Sequence, residues 1–181
     1  AATDFAMPIG PLALRDMNGS DVGLSVARFN FQEYGERFMP PPILEEMVRR
    51  NLLGQKTREG FYKYDESTRK RAGTNPRLAE ILVSLAGSRA DAPAFQPERL
   101  FLPMINEAFL ALQEKVCDPD DLDPALMSGL GMRRGPLAIA SEIGLPECLK
   151  KIEDLNKIYG ERFRPAPLLK RYVWAKRTTV G

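Results

Sequence analysis

Apolar residues recur along this chain at intervals of three and four, the spacing of a helix that buries one face. Leu78, Ile81, Leu82 and Leu85 form one such stripe, with Asn75 and Pro76 placed to start the helix and Gly87 to stop it. Leu100, Phe101, Met104, Ile105, Ala108, Phe109, Leu112 and Val116 sustain the pattern for five turns, which predicts the longest helix over 97–115. Asp118 and Pro119 are placed to open the next helix, which ends near 128–129. Two more follow over 135–143 and 146–159, split by Gly144, with Leu149, Ile152, Leu155 and Tyr159 turned to the core. The last opens at 165–167 and carries Leu168, Leu169, Tyr172 and Val173. Only 60–64 reads as extended. The fold class is all-α.

The chain repeats itself. Gly10-Pro-Leu-Ala-Leu14 returns as Gly135-Pro-Leu-Ala-Ile139, and Tyr34-Gly-Glu-Arg-Phe38 returns as Tyr159-Gly-Glu-Arg-Phe163. One offset of 125 relates both pairs and also carries Pro40, Pro42, Leu44 and Val48 onto Pro165, Pro167, Leu169 and Val173. A gapless register of that length implies a duplicated small helical domain. The first repeat is read as 1–64, with helices over 11–17, 20–34 and 42–50. Residues 65–96 are read as a charged linker with a short helix, 97–175 as the second repeat and 176–181 as a tail. The long helix has no counterpart in the first repeat, so that repeat is truncated at its N-terminus and the start of the chain is read as a cut. Apolar faces left uncovered there are expected to seek a partner.

Charge and residue usage narrow the chemistry. A net charge of +2 disfavours nucleic acid, and the basic positions Lys170, Arg171, Lys176 and Arg177 read as a solvated helix face. Two cysteines, Cys117 and Cys148, lack metal spacing and fit a reducing, cytoplasm-like setting. No apolar run is long enough to span a bilayer. Histidine is absent altogether. That removes imidazole as a base, the Ser-His and Cys-His nucleophile pairs and the commonest zinc ligand. Neither a dinucleotide-binding GxGxxG nor a phosphate-binding GxxxxGK[ST] is present.

Several motifs have structural explanations. The prolines of 38–42 and 163–167 suit helix N-termini. Gly54-Gln-Lys-Thr-Arg-Glu-Gly-Phe-Tyr62 lacks the flanking strand and helix of a phosphate loop. Its glycines read as turn formers with Phe61 and Tyr62 packing back, although Lys56 and Thr57 could reach a ligand phosphate. Asp118, Asp120, Asp121 and Asp123 have no calcium-loop spacing and suit a helix N-terminus. The seven methionines read as core gap-fillers. No metal site and no catalytic residue is assigned.

The second repeat reads Glu98-Arg-Leu-Phe-Leu-Pro-Met-Ile-Asn-Glu-Ala108, Asp118-Pro-Asp-Asp-Leu-Asp123, Gly129-Leu-Gly-Met-Arg-Arg-Gly-Pro136 and Tyr159 to Leu168. The first reads Met7-Pro-Ile-Gly-Pro11, Tyr34 to Leu44 and Gly54 to Tyr62. As a set these segments resemble the C-terminal domain of the 3-hydroxyacyl-CoA dehydrogenases. Two copies in tandem resemble the multifunctional fatty-acid oxidation enzymes, in which an enoyl-CoA hydratase region and a Rossmann domain precede them. In single-function relatives this domain dimerises, and the tandem copy is thought to replace the dimer partner.

The resemblance implies hydride transfer from C3 of a 3-hydroxyacyl-CoA to NAD, with a histidine taking the hydroxyl proton. That histidine and the NAD site belong to the Rossmann domain, so the chain by itself is expected to be inert and to bind no cofactor. An asparagine that helps hold substrate at the start of the family's long helix has Glu98 as its counterpart in the second repeat. The family's G-x-G after Lys-Thr is Arg58-Glu59-Gly60 here. Met7, Pro8, Ile9, Gly10 and Pro11, with Lys56 and Thr57, are the expected substrate-cleft residues. Implied partners are the Rossmann domain of the same enzyme and, through it, the acyl-CoA, with exposed helical faces open to self-association. A helical interaction module without catalysis is the alternative.

Overall fold

The computed structural model describes Thr3, residues 6–86 and residues 95–180. Helices dominate, as the periodicity predicts. In chain order they are α1 (Pro11–Asn18), α2 (Ser20–Tyr34), α3 (Pro42–Arg49), α4 (Arg77–Ala86), α5 (Glu98–Gln113), α6 (Pro119–Leu130), α7 (Pro136–Ile143), α8 (Leu145–Tyr159) and α9 (Pro167–Trp174). Strands β1 (Tyr62–Tyr64) and β2 (Arg71–Thr74) form an antiparallel hairpin. The expected stop of α4 at Gly87 lies outside the described residues.

The duplication is visible in the backbone. The offset of 125 carries α1 onto α7, α2 onto α8 and α3 onto α9, end for end. It also carries the 3-10 turn Gly35–Phe38 onto Gly160–Phe163. Gly19 and Gly144 break the first helix pair at φ 95° and 90°, and Gly35 and Gly160 end the second at 73° and 71°. Such angles are cheap only for glycine. Prolines at N1 open α1, α7, α3 and α9, where the missing N–H costs nothing. Tyr34 tilts on Phe38 at 5.5 Å and 52°, Tyr159 on Phe163 at 5.6 Å and 48°.

The chain forms two compact units. The larger joins Ala1–Pro8 to Phe95–Gly181, and the smaller is Ile9–Ala94. In the larger, α5 packs on α7, α8 and α9 and buries Leu102, Ile105 and Phe109 completely. Asn106, 2% exposed on the same helix, donates to the Arg164 carbonyl at 2.9 Å and accepts from the Ala166 amide at 2.8 Å. The turn before α9 is thus fastened by a side chain about sixty residues away. Asp118 begins α6 but makes no side-chain cap. Asp123 lies inside α6 and caps a different helix, accepting from the Leu137 and Ala138 amides at 2.9 and 2.8 Å. Val116, expected on the apolar stripe, is exposed beyond the end of α5, whereas Val180 is buried in the larger core.

The smaller unit has a smaller core: Leu24, Leu44, Met47, Leu52, Phe61 and Ile81. Without a helix equivalent to α5 among its described residues, it closes over α3 with the hairpin and α4. The stretch read from sequence as linker therefore holds structure. Asp65 accepts hydrogen bonds from the amides and hydroxyls of Ser67 and Thr68, which ties the hairpin turn. Asn75 caps α4 through the Arg77 amide at 3.2 Å and donates to the Gly60 carbonyl at 3.0 Å. Of the stripe on α4, Ile81 is buried and Leu78 half-buried, while Leu82 and Leu85 stay exposed.

Candidate functional site

The glycine loop 54–60 is anchored on one carboxylate. Asp16, fully buried near the end of α1, accepts from the amides of Phe61 and Tyr62 at 2.8 and 2.9 Å and from the Tyr64 hydroxyl at 3.0 Å. Three donors around one buried carboxylate compensate its loss of water. Burial, and then the Asp16 charge, push the Tyr64 phenol far above the ordinary tyrosine range. The loop glycines are needed for room as well as for angle. A Cβ on Gly54, at φ 101°, would sit 2.2 Å from the Asp16 carbonyl oxygen, and one on Gly60 only 2.1 Å from Asp16 Oδ1. Arg58 takes the left-handed conformation at φ 64°. Sequence reasoning did not single out Asp16 or Asn106. Asp16 stands in no motif, Asn106 falls within the 98–108 segment without a role of its own there, and their partners are 45 or more residues distant.

Lys56 and Thr57 are occupied by this same architecture. Lys56 Nζ pairs with Asp21 Oδ2 at 2.5 Å and covers Gly19. That hydrogen bond holds the Asp21 carboxyl below its ordinary range. Thr57 Oγ1 accepts from the Leu53 amide at 3.0 Å and donates to the Glu59 carbonyl at 2.9 Å. Both side chains point their polar atoms at the loop and α2. The remaining expected residues divide between the units. Met7 is half-buried against the larger core and Pro8 is exposed, both in the larger unit, while Ile9, Gly10 and Pro11 lead into α1 of the smaller.

A second feature lies on the paired helices α2 and α8. In the larger unit a groove of about 320 Å³ is lined by Glu98 and Leu102 of α5 and by Lys151, Asp154, Leu155 and Ile158 of α8. Lys151 Nζ reaches Glu98 Oε1 at 3.5 Å across it. The backbone amide of Glu98, and then Lys151, hold that carboxyl below its ordinary range. On α2 the offset of 125 puts Val26 and Phe29 in place of Lys151 and Asp154, but Asn30 and Glu33 in place of Leu155 and Ile158. Val22, Val26 and Phe29, at i, i+4 and i+7, are 49%, 54% and 59% exposed. Among the described residues no group of three or more His, Cys, Asp or Glu side chains could hold a metal ion, and no helix is long and apolar enough to cross a membrane.

Fold and internal register together define a small helical domain present twice. The 3-hydroxyacyl-CoA dehydrogenase C-terminal domain family matches residues 1–64 and 95–180, and the chain belongs to that family. The fatty acid oxidation complex subunit alpha of Shewanella baltica (strain OS185) is 30% identical over 174 residues, 94% of this chain and 24% of that protein. The protein of the same name from Idiomarina loihiensis is 32% identical over 171 residues, 92% of this chain and 24% of that protein. The chain spans about a quarter of the length of the curated relatives it matches. A crystal structure of 3-hydroxybutyryl-CoA dehydrogenase from Escherichia coli K12 superposes with a TM-score of 0.74 at 25% identity, covering 97% of this chain and 53% of that one. The dehydrogenase part of multifunctional enzyme 1 from C. elegans shares the fold, with a TM-score of 0.65 at 23% identity over 93% of this chain and 40% of that one.

Proposed function

We propose that this chain is the C-terminal substrate-cleft and assembly portion of an NAD-dependent 3-hydroxyacyl-CoA dehydrogenase of fatty-acid β-oxidation, in a multifunctional enzyme that also carries enoyl-CoA hydratase activity. The observation that carries this reading is the 30% identity to a fatty acid oxidation complex subunit alpha over 94% of the chain, a span that takes in both repeats. The chain itself supplies no histidine for proton transfer, so on this reading it is inactive alone. Its residues do not fit NAD: the sheet is one antiparallel hairpin, without a parallel strand–helix–strand unit among the described residues. NAD is assigned to a Rossmann domain of the same enzyme, and no step through it is built on these residues.

What this chain contributes is shape. Met7, Pro8, Ile9, Gly10 and Pro11 are assigned to one wall of the acyl-CoA cleft, and Lys56 and Thr57 hold the neighbouring loop in form. Free Cys117 and Cys148 support a reducing, cytoplasmic setting. The test is NADH oxidation with acetoacetyl-CoA, run on this chain and on the full product of its gene. Turnover by the full product alone is expected. A folded but silent full product would sink the dehydrogenase reading. It would leave a helical interaction module, the second reading, which the exposed stripe Val22, Val26 and Phe29 favours.

A further inference from the structure

Asn18 and Gly19 are the one asparagine–glycine pair in the chain. An asparagine in front of glycine carries its own reaction, because no side chain on the glycine shields its amide nitrogen from the carboxamide. The Gly19 nitrogen attacks Asn18 Cγ and a C–N bond forms. The Cγ–Nδ2 bond breaks, and ammonia leaves with the Gly19 amide proton. Water then opens the five-membered imide. Cleavage at Cγ leaves aspartate. Cleavage at the main-chain carbonyl leaves isoaspartate, whose backbone runs through Cγ and is one carbon longer. Solvent water is the only co-reactant.

The fold opposes this step. Asn18 is exposed, but it is the last residue of α1, and the imide closes only when its main chain leaves the helical conformation. Gly19 is buried, and its N–H is held by the Arg15 carbonyl at 2.9 Å. The corner is also clamped on both sides to the segment 53–62. Before it, Asp16 accepts from the Phe61 and Tyr62 amides. After it, the Ser20 amide donates to the Leu53 carbonyl at 3.1 Å. We propose that Asn18–Gly19 is a latent modification site, guarded by the α1–α2 corner, that turns a transient opening of the smaller unit into a permanent one. An extra main-chain carbon lengthens the span between the Asp16 and Ser20 clamps, so the two no longer close together. The second repeat keeps the guard without the reactant. There the Gly144 amide donates to the Ala140 carbonyl at 2.9 Å, φ is 90°, and the preceding residue is Ile143.

The test is made on the full product of the gene, aged in mildly alkaline buffer. Peptide mapping reads the amide-to-acid mass change and isoaspartate at position 18. Conversion is expected to be about tenfold or more slower in the folded protein than in the urea-unfolded chain, because only the open fraction reacts. Gly60→Ala, which loosens the loop that Asp16 anchors, should speed it several-fold in the folded state, as should urea below the unfolding midpoint. Asn18→Gln, whose longer side chain closes a ring far more slowly, should remove the signal in both states. Protein carrying isoaspartate should be cut within 9–94 by a protease several-fold faster than fresh protein, and Asn18→Gln aged alike should not. Equal rates in the folded and unfolded states would show that the corner guards nothing. An unreactive unfolded chain would show that the site is not there, and unchanged proteolysis that the corner closes over the longer backbone. Each of these results overturns the proposal.

Discussion

The backbone amide of Arg133 donates to the carbonyl of Ala6 at 3.0 Å, and its guanidinium donates to the carbonyl of Thr3 at 2.5 Å. In the repeat register Gly131 is the counterpart of Ala6, and Pro8 that of Arg133. Equivalent turns of the two repeats therefore meet within the larger unit, but they do so unequally. Pro8 has no N–H with which to return the bond. Its ring lies 3.6 Å from where a side chain on Gly131 would begin.

That contact makes the first residues part of the second repeat's core, since Ala6 is fully buried there. Removing residues 1–8 should destabilise the larger unit by about 2 kcal/mol, from the apolar surface of Ala6 and Met7 and what they cover. Urea unfolding followed at Trp174 would read it. An unmoved midpoint would show that these residues are ornamental.

The smaller unit should weaken in alkali. Its fold holds Tyr64 as a neutral phenol, with the ionisation moved above that of an unfolded tyrosine. The contribution is complete below about pH 10, the unfolded value, and is lost as pH rises above it. Tyr64→Phe should flatten that slope and, by deleting one hydrogen bond to Asp16, cost about 1 kcal/mol at neutral pH. Parallel pH profiles for the two proteins would contradict this.

Two glycines that look alike in sequence should respond differently to alanine. Gly60→Ala drives a methyl into Asp16 Oδ1 and Gly54 Cα, at 2.1 and 2.6 Å, and should cost roughly 1–3 kcal/mol. Gly10 has φ −71° and open space around it, so Gly10→Ala should be neutral. Equal melting temperatures for the two variants would refute the steric argument.

Arg58→Gly should stabilise the smaller unit by about 1 kcal/mol, because an L-residue at φ 64° is strained and glycine is not. Arg58 Nη1 is also buried without a hydrogen-bond partner, so little is lost with it. A lower melting temperature would show that the guanidinium contributes more than the strain costs.

The two thiols should differ in reactivity. Burial, and then Glu147, push the Cys148 thiol up to about 11, so at pH 8 it is protonated as well as inaccessible. With a thiol-reactive disulfide reagent, half-buried Cys117 should react in the folded protein and Cys148 only after unfolding. Two equally fast reactions would place Cys148 wrongly.

Helix positions were legible in the sequence because their ends are set locally. Pro11 and Pro136 start helices, and Gly19 and Gly144 stop them, through constraints each residue carries by itself. Strand β2 was not legible, since all four of its residues are exposed and no apolar alternation marks them. The roles of Asp16, Asn106 and Asp123 were hidden for another reason. Each satisfies backbone donors on a separate element, and a bond of that kind leaves no periodic trace. Lys56 and Thr57 drew attention as residue types suited to phosphate, but Asp21, the Leu53 amide and the Glu59 carbonyl already take up their polar atoms.

The chain enters the larger unit at its first residues, leaves it after Pro8 and rejoins it at Phe95. The smaller unit is therefore an excursion tied at both ends to one body. When it melts while the larger unit stands, its released chain is a closed loop rather than a free tail, with fewer conformations to gain. Loop-closure entropy then works in its favour, up to about 4 kcal/mol if the anchors held as firmly as a covalent cross-link of that span. The core around Leu24, Leu44, Met47, Leu52, Phe61 and Ile81 is supported in this way by the burial of Ala6 in the larger unit.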